Sequence, residues 1–239
     1  MRVFLAGATG AIGRRLVPLL VRAGHQVTGT TRSPESGKAL ERAGVTPAVL
    51  DVFDAGAVTA AVRSARPEVV IHQLTDLPRE FDESKLAASY ARNARIRTEG
   101  TRNLIAAAQA AAVRRFIVQS IAFVYAPGRQ PHPEADPLNV ADGPRVVTAR
   151  GAAAMEEQVL DAPGLDGIVL RYGQFYGPGT WYDAPGRVPG LHVDAAAQAA
   201  LMALSRGARG IYNIADDDGA VSIAKAVAEL GFDPAFRLA

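Results

Sequence analysis

The stretch from Val3 to Gly13, reading VFLAGATGAIG, constrains this chain more than any other. Its first four residues are apolar and form a short buried strand, and an apolar helix follows from Leu16 to Val21. Between them Gly7, Gly10 and Gly13 mark a tight turn. The first glycine permits the turn, the second lets a pyrophosphate approach the backbone, and the third lets helix pack on strand. Thr9, Ala11 and Ile12 complete the loop. The free N–H groups at the helix start and the helix dipole favour an anion there.

The rest of the chain fits one α/β unit. Its 239 residues bury about 70–75% of their unfolded surface on folding. The absence of cysteine excludes disulfides, thiol nucleophiles and cysteine metal sites. A net charge of +2 without a basic run argues against a nucleic-acid partner. No run of apolar residues is long enough to span a membrane and the start has no signal-peptide pattern, so a cytoplasmic protein is expected. Strands are expected at 26–31, 46–50, 68–72, 115–120, 166–171 and 210–214. Helices are expected at 14–23, 37–43, 55–64, 83–112, 149–161, 195–205 and 222–230. Continuous apolar runs such as Val69-Val70-Ile71 suit a parallel sheet covered on both faces. The expectation is a Rossmann-type doubly wound sheet over residues 1–175, with a small C-terminal appendage, 176–239, packed on it. Proline and glycine cluster at 127–144 and 177–190, where the chain leaves the sheet.

Taken in order, these segments resemble the extended short-chain dehydrogenase/reductase superfamily, which includes the sugar-nucleotide epimerases and dehydratases. The resemblance rests on G-x-x-G-x-x-G at Gly7, Gly10 and Gly13, Asp51-Val52 after strand three and Gly100-Thr101-Arg102-Asn103-Leu104. Later matches are Val124-Tyr125, Leu170-Arg171-Tyr172, Tyr176-Gly177-Pro178-Gly179 and His192-Val193-Asp194. It implies that Asp51 and Val52 meet adenine and that the loop carrying Leu74 and Thr75 runs past the riboses, with Gln119 and Tyr172 also on the cofactor side. It further implies a small-molecule substrate and a homodimer through the helices at 83–112 and 149–161. Strand two ends in Thr31-Arg32-Ser33 with no carboxylate before Glu35. Arg32 and Ser33 can therefore bind a 2′-phosphate, favouring NADP(H), with NAD(H) the other possibility; the bland alternative is a solvated loop arginine.

The resemblance implies a tyrosine acid with a lysine four residues on, a serine or threonine and a helix asparagine. No tyrosine here has that lysine, and the four places fall on Thr148, Ala152, Ile121 and Arg97. A positioned general acid is worth about 10²–10⁴ in rate. Tyr125 and Tyr176 are candidate substitutes and Arg97 a candidate electrophile; as alternatives, the tyrosines are half-buried loop anchors and the arginine simply sits on a helix face. Tyr172 and Tyr182 lie on the same side, and Phe175-Tyr176 with Trp181-Tyr182 suggests a pocket wall. In the sugar-nucleotide enzymes that the chain resembles, the interval matching Gly179 to Leu191 is much longer and builds a substrate lobe, so a nucleotide-sugar substrate is not expected unless another subunit closes the site. No metal site is expected, and Asp216-Asp217-Asp218 reads as a solvated loop. Three readings stay open: an atypical NADP(H)-dependent oxidoreductase or isomerase, a non-catalytic dinucleotide sensor or scaffold, and a non-redox enzyme on the same fold.

Overall fold

Strand β1, Arg2–Ala6, sends Val3 and Leu5 into one apolar core and Phe4 and Ala6 into a second. A strand's side chains alternate, so a run buried on both faces must be central. The computed structural model, which describes residues 1–78 and 80–238, puts β1 third in a seven-stranded sheet, with strands on both sides. The other strands are β2 (Gln26–Thr31), β3 (Thr46–Val49), β4 (Val69–His72), β5 (Arg115–Ile121), β6 (Asp166–Tyr172) and, later, β9 (Gly210–Ile214). Their order is β3-β2-β1-β4-β5-β6-β9, and every pairing is parallel. This is the doubly wound Rossmann-like architecture, with its connections diverging between β1 and β4.

On one face lie α1 (Ala11–Arg22) and α7 (Val193–Met202), which pack together under an alanine-rich surface. The other face carries α3 (Ala55–Ala65), α5 (Thr101–Ala110) and α6 (Val146–Leu160), with α4 (Glu83–Arg95) against α6. Helix α2 (Pro34–Arg42) has Ser33 as its N-cap and proline in its first turn.

Two segments differ from the sequence expectation. The long helix expected at 83–112 is interrupted by a π turn at Ile96–Gly100 and ends at Ala110. The excursion after β6 holds a separate two-stranded sheet, β7 (Gln174–Tyr176) with β8 (Gly190–His192). Ala107, Ala108 and Ala152 are buried within the chain, so part of the alanine surface expected at a dimer contact serves the chain's own core. Strand β9 comes from the C-terminal segment and pairs with β6, completing the main sheet's edge. No helix among the described residues is long and apolar enough to cross a membrane.

Candidate functional site

The divergence between β1 and β4 opens a cleft of about 890 Å³ at the carboxyl ends of the strands. Gly7 stands at its base with φ +91°, and a Cβ there would meet the Gln73 carbonyl oxygen at 2.7 Å. A Cβ on Gly13 would collide with the carbonyl of Gly7 and the backbone of Ala8. One on Gly10 would touch only the Gly7 carbonyl, at 3.4 Å. The outer two glycines therefore serve backbone packing, while the middle one leaves the loop open. Gly10 caps α1 with no side-chain hydrogen bond, and no acid stands in the first turn. By contrast Ser33, Asp54 and Asp82 cap α2, α3 and α4 with their side chains. An uncapped helix start open to a cleft suits the phosphates of a dinucleotide.

The other sequence-derived cofactor positions gather around this loop. Thr9, Ala11, Ile12, Arg32, Asp51, Val52, Leu74, Thr75, Gln119 and Tyr172 all line the cleft. Asn103 Nδ2 donates to the Val52 carbonyl at 2.9 Å, and a Cβ on Gly100 would touch the Val52 side chain at 3.2 Å. Gln119 Nε2 donates to the Leu74 carbonyl. Arg32 is exposed and meets Asp76 at 3.3 Å. Ser33 is turned into its capping role, accepting from Ser36 N–H, and Ser36 stands at the cleft instead. The Gln73 side chain donates to the Tyr172 hydroxyl, while its buried Oε1 has no partner among the described residues.

His72 closes the floor of β4. Leu74 N–H donates to its Nδ1, so Nε2 carries the proton toward Thr101 Oγ1 at 3.1 Å. Burial, aided by the Arg97 charge, lowers its pKa to about 3, so the ring is neutral at working pH.

Of the four substituted relay positions two touch, Arg97 and Thr148. Arg97 Nη1 donates to the Thr148 carbonyl at 2.9 Å and hydroxyl at 2.6 Å, with Ile121 on the same cleft and Ala152 buried behind. Burial lowers the Arg97 pKa to about 10, which leaves it cationic at neutral pH. Ser120 also lines the cleft, with its hydroxyl donating to Glu156.

The candidate tyrosines part company. Tyr125 lies outside the cleft, stacked on His132, donating to Asn213 Oδ1 at 2.7 Å and accepting from Arg171 at 2.8 Å. Burial raises its pKa. Tyr176 packs edge-on against His192 and accepts from Arg237 beside the C-terminal segment. Tyr172 is fully buried, its hydroxyl bound to the Ala196 carbonyl and its pKa raised by burial. Tyr125 and Tyr176 thus have hydrogen-bond partners within the chain, and neither is among the residues lining the cleft.

The cleft wall is aromatic, as expected from Phe175, Trp181 and Tyr182, but it is wider than the sequence disclosed. Phe81 packs edge-on against Trp181, whose indole N–H donates to the Pro78 carbonyl at 2.8 Å. Tyr90 on α4, Phe123 and Arg145 also line it, and no motif marks them in the sequence. The only local signal for Tyr90 is its helical spacing of about seven residues from Arg97. No group of three or more His, Asp or Glu among the described residues is arranged to hold a metal. Asp218 instead accepts from the Gly190 and Ala220 N–H groups.

The family model described as NAD(P)H-binding matches residues 7–184, from the first glycine of the turn through the aromatic loop. The chain is 40% identical over 242 residues to the 3-diazoavenalumate denitrifying reductase of a Streptomyces species, covering 92% of this chain and 77% of that protein. It is 32% identical over 180 residues to the dTDP-4-dehydrorhamnose reductase of Streptomyces griseus, covering 74% of this chain and 51% of that one. The UDP-glucose 4-epimerase of Thermotoga maritima, solved with UDP-glucose, superposes with a TM-score of 0.81 at 18% identity over 99% of this chain and 94% of its own. That of Thermus thermophilus, solved with NAD, gives 0.78 at 20% identity over 100% and 95%. The epimerases share the fold. With the family match running from the first glycine of the turn through the aromatic loop, and a relative 40% identical over most of its length, the chain belongs to the NAD(P)H-binding family.

Proposed function

We propose that this protein is an NADPH-dependent reductase acting on a diazo-bearing aromatic small molecule, a reduction that needs hydride and no proton. The observation carrying this reading is the relay itself. Ile121, Thr148, Ala152 and Arg97 occupy its four places, and no lysine lines the cleft among the described residues. Reduction of a ketone requires an acid for the developing alkoxide, and a site without one forfeits about 3–5 kcal/mol of barrier lowering. The bound dinucleotide would supply a hydride, which replaces the diazonium nitrogen at carbon, releasing N₂ and leaving an arene C–H bond and an oxidised nicotinamide. The 40% identity to a denitrifying reductase supports the same chemistry.

In this reading Gly7, Thr9, Gly10, Ala11, Ile12 and Gly13 hold the pyrophosphate, with Asp51 and Val52 at adenine. Leu74, Thr75, Gln119 and Tyr172 border the rest. The aromatic wall excludes water and stacks on the substrate ring. Arg32, whose exposed pair with Asp76 a phosphate would displace, favours NADP(H) over NAD(H). Arg32→Ala should narrow that preference about tenfold, and equal wild-type titrations with both cofactors would sink the assignment. Any homodimer would use what α4 and α6 leave exposed, Val147 included, and light scattering decides it.

The reductase reading is tested with NADPH deuterated at the transferable position and a stable arenediazonium that bears a carboxylate on its ring. One deuterium should appear on the carbon that lost nitrogen, with NADPH absorbance falling in step and a protein-free control lagging. Faster turnover of ketones or aldehydes, or an unlabelled arene, would overturn it. Tyr90→Phe and Tyr182→Phe should leave the rate within about threefold, since neither hydroxyl is asked for a proton.

A further inference from the structure

Arg97 is nine-tenths buried, with a relative exposure of 9%, yet no carboxylate lies in salt-bridge range among the described residues. Its Nη1 is taken by Thr148, while Nε and Nη2 have no protein partner among the described residues. Glu156, the buried carboxylate whose charge it feels, spends both oxygens on Arg171 and also accepts from Ser120. Asp76, at the mouth of the same cleft, is shared between Arg32 and Arg92. A buried guanidinium without an anion is costly, and the cost is recovered only when something anionic arrives.

The surroundings say what would arrive. The cleft wall nearby is built from aromatic rings, among them Phe81, Tyr90, Trp181 and Tyr182. Arg145 sits 5.1 Å over Phe123 and Arg187 4.9 Å over Tyr182, adding two more cations with no carboxylate partner among the described residues. A bare arenediazonium is itself a cation and would be repelled here. The same ring carrying an anionic oxygen would be close to neutral, and its oxygen would meet a planar fork suited to it.

We propose that Arg97 binds an anionic oxygen, carboxylate or phenolate, carried on the aromatic substrate, and so determines which aromatic compounds enter. This rests on the reductase reading for its substrate ring but is tested by binding alone. Arg97 contributes through Nε and Nη2, with Thr148 holding the guanidinium in place.

The experiment follows Trp181 fluorescence in protein saturated with NADP⁺, using unreactive probes. Benzoate is compared with benzamide, and 4-nitrophenolate with 4-nitroanisole, so the two pairs separate carboxylate from phenolate recognition. Wild-type protein should bind at least one anion about tenfold or more tightly than its neutral partner. Arg97→Gln should erase that difference while NADP⁺ affinity by calorimetry stays within about twofold. Arg97→Lys, which keeps the charge but not the fork, should retain part of it and guards against misfolding of the glutamine variant. Arg145→Gln should leave the preference in place. The proposal is overturned if neither anion is preferred, if the preference follows Arg145, or if Arg97→Gln chiefly abolishes NADP⁺ binding. Failure of diazonium turnover with the anion preference intact would count against the reductase reading alone.

Discussion

Two buried arginines on either side of α6 solve the same problem in opposite ways. Arg171 on β6 gives Nε and Nη2 to Glu156 at 3.0 and 2.7 Å, and Nη1 to the Tyr125 hydroxyl and the Glu134 carbonyl. Every nitrogen of its fork is answered from within the chain. Arg97 is answered on one side, by Thr148, and its other side opens on the cleft. The closed arrangement fixes the packing of α6 on the sheet, whereas the open one keeps interaction energy in reserve for a ligand. A buried charge is informative about function in proportion to what the chain leaves unmet.

The largest expected effect separates the two directly. Glu156→Gln strands the Arg171 charge and should cost about 3–5 kcal/mol in urea unfolding. Arg97→Gln removes a charge that has no carboxylate to lose and should change stability by less than about 1 kcal/mol. Equal costs would dissolve the distinction. The glycine turn offers the same contrast at backbone level. Gly13→Ala drives a methyl into the Gly7 and Ala8 backbone and should cost about 1–3 kcal/mol. Gly10→Ala should fold nearly as well as wild type yet weaken NADPH binding about tenfold or more, read by calorimetry. Next comes Tyr125→Phe, which removes one member of the closed network. Its loss of about 1–2 kcal/mol should leave kcat unchanged; a large fall in kcat would make Tyr125 catalytic after all.

The smallest difference between variants concerns acid. Native His72 stays neutral down to about pH 3, whereas in the unfolded chain it gains a proton near pH 6.5. The unfolded state therefore binds more protons within that window. Stability contributed by His72 is complete above pH 6.5 and declines as pH falls, by up to about 1.4 kcal/mol per unit, until pH 3. Burial is the larger cause and Arg97 the lesser. Arg97→Gln should thus shift this acid limb only slightly, and Arg171→Gln not at all; stability–pH curves of the variants measure both.

What the sequence made legible was what lies close together along the chain. Strand β2 covers the residues expected of it, Gln26–Thr31, just after the Gly24-His25 turn, and the glycine turn reads from the unbroken run Val3 to Gly13. The vacated relay places can be counted from local motifs, and Arg97 and Thr148 do touch. The fates of Tyr125 and Tyr176 were not legible, because their partners are remote. Asn213 lies 88 positions beyond Tyr125, and Arg237 lies 61 beyond Tyr176. The pairing of β7 with β8 and the tie from Trp181 to Pro78, 103 residues apart, are likewise products of tertiary closure. Tyr90 escapes a sequence reading because α4 has the polar pattern of a surface helix, and only its packing against α6 turns that edge toward the cleft.

The span from Arg97 to Asn103 touches both ends of the cleft. Gly100 rests on the Val52 side chain and Asn103 holds the Val52 carbonyl, while one helical turn earlier Arg97 faces the aromatic wall. If the proposed sites hold, a dinucleotide pressing on Val52 and an acid gripping Arg97 would act on one continuous segment, the π turn at Ile96–Gly100 and the start of α5. Whatever factor one ligand imposes on the affinity of the other must be returned in full, because coupling free energy has no direction. An order of addition seen in kinetics would then describe the route into the ternary complex, while the energy binding the two occupants to each other would be the same by either path.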